Sequence, residues 1–200
     1  MENRNSSPVR PVQSKYNITV IGLLGYTKSG KTTLAKQLEE HLGFVRINSA
    51  DPLKAMLAAG FGLTEKELDG DLRDKPCEEL MGATPRYALQ TLGKDWLRLI
   101  NPELLAFTCK NKIIDLYEDE GYSRFVVENC RFQKDVEAVH SFPNGKVIRL
   151  IGKTPELISE YEDEISQIKD LDYAIQNDYS TPANLLEIVL NILPRLKEFL

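Results

Sequence analysis

Short apolar runs alternate with segments of helical period along most of the chain. Five of these runs have the length and composition of strands that are covered on both faces; they are 18–24, 44–48, 124–128, 146–151 and 173–177. Strands separated by helical segments are typical of a parallel sheet with crossover helices. We therefore expect an α/β protein, a three-layer αβα fold on a five-stranded, mostly parallel sheet.

The helices are marked by capping residues. Five pairs join an N-cap residue type to a proline at the first helical position; they are Asp51-Pro52, Thr84-Pro85, Asn101-Pro102, Thr154-Pro155 and Thr181-Pro182. Two apolar stripes at helical spacing predict buried faces: Leu89, Leu92, Trp96 and Leu99, and then Leu185, Ile188, Ile192 and Leu193.

Length and composition predict one domain with appendages. Residues 1–15 are polar and lack large apolar groups, so we expect a flexible arm there, followed by a single domain over 16–200. Within it, residues 64–81 carry many charges and few apolar anchors. This stretch is predicted to be a mobile lid or an acceptor-binding excursion, with a capping box from Thr64 to Glu67.

The charge balance and the cysteines narrow the class of protein. A net charge of −5 argues against a protein that grips a nucleic-acid polymer. Three cysteines without a C-x-x-C pair exclude a disulfide framework and a four-thiolate zinc site, and they favour a cytoplasmic protein. No apolar run reaches the roughly 18 residues of a membrane helix. The apolar faces of 104–117 and of the C-terminal helix leave a homodimer open.

The first predicted strand runs into Gly25-Tyr26-Thr27-Lys28-Ser29-Gly30-Lys31-Thr32-Thr33 and then into an amphipathic helix. This is the G-x-x-x-x-G-K-[ST] pattern in the strand, loop and helix context that a phosphate-binding loop, or P-loop, requires. We expect Gly25, Lys28, Ser29 and Gly30 to wrap a triphosphate, so that ATP is the expected ligand. Lys31 is expected to reach its β and γ phosphates, Thr32 to ligate Mg²⁺, and Thr33 to donate to the α-phosphate.

Several other residues fit a kinase for a small anionic acceptor. The chain lacks the Asp-x-x-Gly and Asn/Thr-Lys-x-Asp motifs of a GTPase. Arginines suit a monophosphate dianion because their guanidinium groups form paired hydrogen bonds. Arg86 and Gln90 share one helix face, Arg98 lies two turns beyond Gln90, and Arg131 follows the strand 124–128 at the edge where ligands bind in open α/β folds.

Four ordered motifs between about residues 18 and 193 resemble the deoxynucleoside monophosphate kinases of tailed phages. They are Ser49-Ala50-Asp51-Pro52-Leu53-Lys54, the segment from Thr84-Pro85-Arg86 through Gln90 and Trp96 to Arg98, Cys130-Arg131-Phe132 with Glu137 downstream, and Asp172-x-x-Ile175-x-Asn177. The resemblance implies transfer of the ATP γ-phosphate to a deoxynucleoside 5′-monophosphate in the cytoplasm, which is the host cytoplasm if a phage encodes the chain. It also implies that Asp51, Arg86, Gln90, Arg98 and Arg131 surround the acceptor.

In such an enzyme Lys31, Arg86 and Arg131 would stabilise charge on the transferred group. The chain departs from the family at Asn129, where the family often has aspartate, so that either Glu128 serves Mg²⁺ or Thr32 and the phosphates hold it. It also carries Lys153 and Ser159-Glu160 without the family's histidine. Two alternatives stay open: a kinase of another small phosphorylated acceptor, and a nucleotide-binding regulator with weakened catalysis.

Overall fold

The computed structural model describes residues 16–152, 160–178 and 181–199. The predicted arm at 1–15, the predicted helix start at Thr154-Pro155, and residues Lys153 and Ser159 lie outside the described residues.

A five-stranded sheet organises the described chain. Its strands are β1 Thr19–Leu24, β2 Val45–Ile47, β3 Arg124–Cys130, β4 Asn144–Ile151 and β5 Tyr173–Gln176. The strand order is β2-β3-β1-β4-β5, and every neighbouring pair is parallel. Each strand begins and ends within two residues of its predicted run. The predicted α/β class and the five-stranded sheet are therefore confirmed, and the sheet is parallel throughout.

Helices connect the strands. The described residues contain α1 Lys31–Leu42, α2 Asp51–Phe61, α3 Glu65–Leu68, α4 Pro85–Thr91, α5 Arg98–Ile100, α6 Leu104–Glu120, α7 Gln133–His140, α8 Glu160–Gln167 and α9 Pro182–Ile192. A π-helical segment, Leu92–Leu97, joins α4 to α5, and a 3₁₀ helix, Pro194–Phe199, follows α9.

The sheet has a core on each face because successive residues of a strand point to opposite sides. In β1, Val20 and Leu24 pack in one core with α6 and α7, whereas Ile21 and Leu23 pack in the other with α1 and α9. Helices therefore cover both faces of the sheet. This arrangement is the three-layer αβα architecture that the alternating pattern predicted.

The chain groups into two compact units. The first comprises the sheet and the helices that cover it; it is formed by the chain up to Ser49 and again from Ala106 onward. The second is Ala50–Leu105 and has its own apolar core; the buried members are Leu53, Leu57, Leu63, Leu68, Leu89 and Leu97. The segment 64–81, predicted as an excursion, lies within this second unit, where Leu68 is buried and Leu80 is partly buried.

The predicted burial of the first apolar stripe is partly wrong. Leu89 is buried as predicted, but Trp96 is 47% exposed and Leu99 is 86% exposed, while Leu97 is buried. The reason is the π-helical segment, which takes about one residue more per turn than an α-helix and so shifts the buried face by one position. An α-helical period cannot anticipate this shift.

The predicted caps are confirmed in part. Thr84 and Thr181 accept hydrogen bonds from the backbone N–H groups of Tyr87 and Asn184, at 3.2 Å in each case. Asp51 is not an N-cap: Ala50 precedes the helix, and Asp51 is its first residue. The chain turns at Asn101-Pro102 before α6 begins at Leu104. The capping box from Thr64 to Glu67 is present.

The C-terminal stripe also differs in detail. Leu185 is buried as predicted, but Leu186 and Val189 are the other buried residues of α9, and Ile188 and Ile192 are only partly buried against the same core. In α6, Ala106, Ile113 and Leu116 are buried, and Ile113 and Leu116 pack in the core of the first unit. None of the helices in the described ranges combines the length and apolarity needed to cross a bilayer.

Candidate nucleotide-binding site

The loop between β1 and α1 has a backbone that only glycine permits at two places. Gly25 and Gly30 have φ angles of 149° and 103°, in the region that side chains rarely adopt. A Cβ atom at Gly25 would lie 2.5 Å from the carbonyl oxygen of Leu150, and one at Gly30 would lie 2.5 Å from Nδ2 of Asn177. Both glycines of the motif are therefore required by the shape of the loop.

Lys31, the first residue of α1, folds back over this loop. Its Nζ donates hydrogen bonds to the carbonyl oxygens of Gly25 at 2.6 Å and of Tyr26 at 2.7 Å. The ammonium group is thus held at the mouth of the loop, where the positive end of α1 also points. Thr32 and Thr33 follow in the first helical turn, and both are exposed. Cation, helix end and hydroxyl groups together form a candidate anion site.

A cavity of about 310 Å³ adjoins the loop within the first unit. Lys28, Lys31 and Thr33 line it on the side of the loop and α1, and Asn177 and Leu185 line it on the side of β5 and α9. Lys28 adopts a left-handed backbone conformation, with a φ of 64°. The cavity therefore combines cationic groups at the anion site with an apolar wall.

Ser29 and Asn177 meet behind the loop. The Asn177 side chain donates a hydrogen bond of 3.0 Å from Nδ2 to the carbonyl oxygen of Ser29. Both residues are buried, and Oγ of Ser29 has no hydrogen-bond partner among the described residues. Asn177 is the last residue of the motif Asp172-x-x-Ile175-x-Asn177, and the sequence alone indicates no role for it.

Arg131 stands beside the loop because of the strand register. Leu24, the last residue of β1, pairs with Cys130, the last residue of β3, so Gly25 and Arg131 leave neighbouring strands side by side. The guanidinium Nε of Arg131 donates to Oδ1 of Asn129 at 2.8 Å. The structure thus brings Arg131 and the loop together at the carboxyl edge of the sheet.

Glu128, the predicted magnesium group, is engaged with Arg46 of β2. Nε and Nη2 of Arg46 lie 3.1 and 2.9 Å from Oε1 of Glu128, whose side chain is 10% exposed. Burial disfavours the charged form of Arg46, but the carboxylates of Glu128 and Glu39 outweigh it and raise the pKa of Arg46. A role for Glu128 at the metal stays a prediction, and it would have to compete with this ion pair.

The other predicted acceptor residues lie in the second unit. Asp51 begins α2 and pairs with Lys54 at 3.1 Å. Arg86 and Gln90 are four residues apart in α4, on one face. Arg98 begins α5, and a continuous α-helix would place it about 80° from Gln90 around the helix axis. The π-helical segment between the two residues changes this angle because it takes more residues per turn.

The guanidinium of Arg86 forms a paired hydrogen bond with Asp74. Nε and Nη2 of Arg86 contact the two carboxylate oxygens, the second at 2.9 Å. The hydrogen bond from Arg86 lowers the pKa of Asp74 and outweighs the small effect of burial. No spacing in the sequence points to this pair, because Asp74 lies among many charges and twelve residues from its partner.

Comparisons with known proteins bear on this site. No family model matches the chain. A protein of Acanthamoeba polyphaga mimivirus described as a "Putative deoxynucleotide monophosphate kinase" is 29% identical over 175 residues, which cover 80% of this chain and 89% of that protein.

Two solved structures are more distant. Shikimate kinase from Aquifex aeolicus has 14% identity and a TM-score of 0.49 over 88% of this chain and 97% of that one. Dephospho-CoA kinase from Campylobacter jejuni has 14% identity and a TM-score of 0.43 over 90% and 98%. Scores below 0.5 are too low to support an assignment.

The resemblance to deoxynucleoside monophosphate kinases is confirmed by the viral relative, which aligns with most of both chains.

Proposed function

We propose that this protein is an ATP-dependent P-loop kinase that transfers the γ-phosphate of ATP to a deoxynucleoside 5′-monophosphate. The observation that carries the proposal is the placement of Arg131 beside the phosphate loop, which follows from the pairing of Leu24 with Cys130. A loop that holds a triphosphate needs such a cation at its mouth when the acceptor is itself a phosphate. The viral relative supports the choice of a nucleotide as acceptor.

The donor half of the reaction rests on the loop and α1. Backbone N–H groups of the loop and of the first turn of α1 bind the phosphates, and Lys31 exchanges its contacts with Gly25 and Tyr26 for the β and γ phosphates. The cavity of about 310 Å³ beside the loop accommodates the rest of the nucleotide. The expected result is a donor held in one orientation before the acceptor arrives.

Magnesium fits the donor half through Thr32. Its hydroxyl would be a hard oxygen ligand in the first turn of α1, and Oγ of Ser29 in the same loop has no hydrogen-bond partner within the described residues. When bound, Mg²⁺ neutralises charge on the β and γ phosphates. Because Glu128 is paired with Arg46, we propose Thr32 as the protein ligand and regard Glu128 as the weaker candidate.

The acceptor half uses arginines rather than an acid or a base. The attacking phosphate oxygen is already ionised at neutral pH, so alignment and neutralisation are what the protein must supply. We propose that Arg131, Arg86 and Arg98 bind the acceptor phosphate and stabilise the transferred group, that Gln90 reads the base edge, and that Asp51 contacts the acceptor.

The proposal is tested by an acceptor panel. ADP formation from MgATP is measured with each of the four DNA monophosphates, with ribonucleoside monophosphates and with sugar phosphates. We expect the highest kcat/KM with one or more deoxynucleotides, and loss of that activity in the Lys31→Met variant. Activity with sugar phosphates and none with nucleotides would contradict the proposal.

Asn129 favours a second candidate, a nucleotide-binding regulator with weakened catalysis. Its amide oxygen accepts from Arg131 where the related kinases often carry a carboxylate. This candidate predicts ATP binding without turnover across the whole panel, and turnover restored by Asn129→Asp. Turnover by the unmodified chain would exclude it.

A further inference from the structure

Asn177 supplies a hydrogen bond to the phosphate loop from a distant part of the chain. It lies directly after β5, and its Nδ2 atom donates to the carbonyl oxygen of Ser29, 148 residues away. Asn177 is 9% exposed and Ser29 is 1% exposed. A buried peptide carbonyl of the loop is thus satisfied by a side chain on the other side of the donor site. A buried carbonyl that loses its hydrogen-bond partner is destabilised.

The amide of Asn177 is itself firmly placed. The backbone N–H of Asn177 donates to the carbonyl oxygen of Ile151 at 2.8 Å and so continues the ladder between β4 and β5. Ile175, two residues earlier, is buried in the core with α1 and α9. The donor therefore comes from the edge of the sheet and not from a loose segment.

The carbonyl that Asn177 holds belongs to the peptide joining Ser29 to Gly30. Because a peptide unit is planar and trans, fixing its oxygen also fixes the direction of the Gly30 N–H on the opposite side. Gly30 immediately precedes α1, and its φ of 103° leaves no room for a Cβ on the side of Asn177. The N–H groups at this point are those that a phosphate loop directs at its anion.

We infer that Asn177 is a positioning residue for the triphosphate, which sets the orientation of the Ser29–Gly30 peptide and so prepares the loop for its anion. The inference rests on the donor half of the proposed function and is independent of the acceptor. It assigns a role to the last of the motifs in the sequence resemblance. It also gives a reason for glycine at position 30, because a Cβ atom there would lie 2.5 Å from Nδ2 of Asn177.

The test measures ATP binding without any acceptor. Asn177→Asp has nearly the same shape but cannot donate to the Ser29 carbonyl, and Asn177→Ala removes the group. We expect the Kd for ATP, measured by titration calorimetry, to rise about tenfold or more in both variants. The matched control is Asn191→Asp, which makes the same charge change on an exposed part of α9; its Kd should stay within about twofold of the parent value.

Two further measurements distinguish a positioning role of Asn177 from a role in stability alone. Hydrogen exchange of the amides at 27–31 should accelerate in Asn177→Ala at temperatures well below unfolding, and the KM for ATP should rise while the KM for the acceptor is unchanged. A Kd within about twofold of the parent in both Asn177 variants would overturn the inference, even if they unfold at a lower temperature. A parent chain that binds neither ATP nor inorganic tripolyphosphate would overturn it as well. Binding of ATP without transfer to any deoxynucleotide would contradict the proposed function alone.

Discussion

Lys31 is the residue on which the donor site depends most. Its ammonium group already lies against two carbonyl oxygens of the loop, so it is held in place before a phosphate binds. Replacing it by methionine keeps the length of the side chain and removes the charge. We expect kcat/KM for ATP to fall about 10²- to 10³-fold, the effect of removing one preorganised group that stabilises the transition state.

Lys36→Met is the control for this prediction, since Lys36 is exposed on α1. Steady-state ADP formation at saturating acceptor measures both variants. Equal rates for Lys31→Met and the parent chain would mean that the loop does not hold the transferred phosphate.

Asp172, which directly precedes β5, holds this edge strand against β4 with a single carboxylate. It accepts hydrogen bonds from Lys146 at 2.7 Å and from the backbone N–H of Val147 at 2.8 Å, and it lies 2.8 Å from Nε2 of His140. Burial opposes its ionisation, but these hydrogen bonds outweigh burial and lower the pKa of Asp172. The hydrogen bond to Asp172 raises the pKa of Lys146.

The lowered pKa makes stability depend on pH. A carboxyl group whose pKa is lower in the folded state contributes stability above its unfolded value, about 3.9, and loses it as the pH falls through the folded value. Asp172→Asn should therefore lower the free energy of unfolding at pH 7, and its deficit relative to the parent should shrink below about pH 4. Urea unfolding at pH 7 and pH 3 measures this; a deficit of equal size at both values would contradict it.

At the scale of elements, the number of strands and their places in the sequence were predictable. Parallel strands buried on both faces read as apolar runs, and the five runs correspond to β1 to β5. The exposure of Trp96 and Leu99 was not predictable, because the π-helical segment does not follow the α-helical period from which their burial was predicted. In the candidate site, the loop was predictable from its motif. The pairs Arg86–Asp74 and Arg46–Glu128 were not, because they depend on tertiary contacts.

The shifted helix face gives a prediction of its own. Leu97→Ala should destabilise the protein by about 2–5 kcal/mol because it leaves a cavity in the second unit. Leu99→Ala should change stability by less than about 0.5 kcal/mol, since Leu99 is 86% exposed. Chemical unfolding measures both variants. The opposite order of effects would show that the helix continues in α-helical register.

At the scale of the whole molecule, the two compact units carry different groups of predicted site residues. The first holds the phosphate loop, Arg131 and Asn177, and the second holds Asp51, Arg86, Gln90 and Arg98. If the second unit serves the acceptor, its variants should affect one substrate and leave the other unchanged. This division would match a reaction with two phosphorylated substrates except at Arg131, which lies in the first unit and is proposed to bind the acceptor.

The Arg86→Lys variant tests whether the second unit serves the acceptor. Lysine keeps the charge but cannot form the paired hydrogen bonds of a guanidinium group. We expect the KM for the deoxynucleotide to rise about tenfold or more, while the Kd for ATP is unchanged; Lys66→Ala, at an exposed site of α3, should alter neither value. An increase in the Kd for ATP with an unchanged acceptor KM would assign Arg86 to the donor.

Transfer of the γ-phosphate of ATP to a nucleotide, and not to water, is the step on which the proposed function depends. It is tested most directly with ATP carrying ¹⁸O in its γ-phosphate, incubated with the chain and each deoxynucleoside monophosphate and analysed by mass spectrometry. We expect the label in the β-phosphate of a deoxynucleoside diphosphate. Label recovered only in inorganic phosphate, or left in ATP with every acceptor, would contradict it.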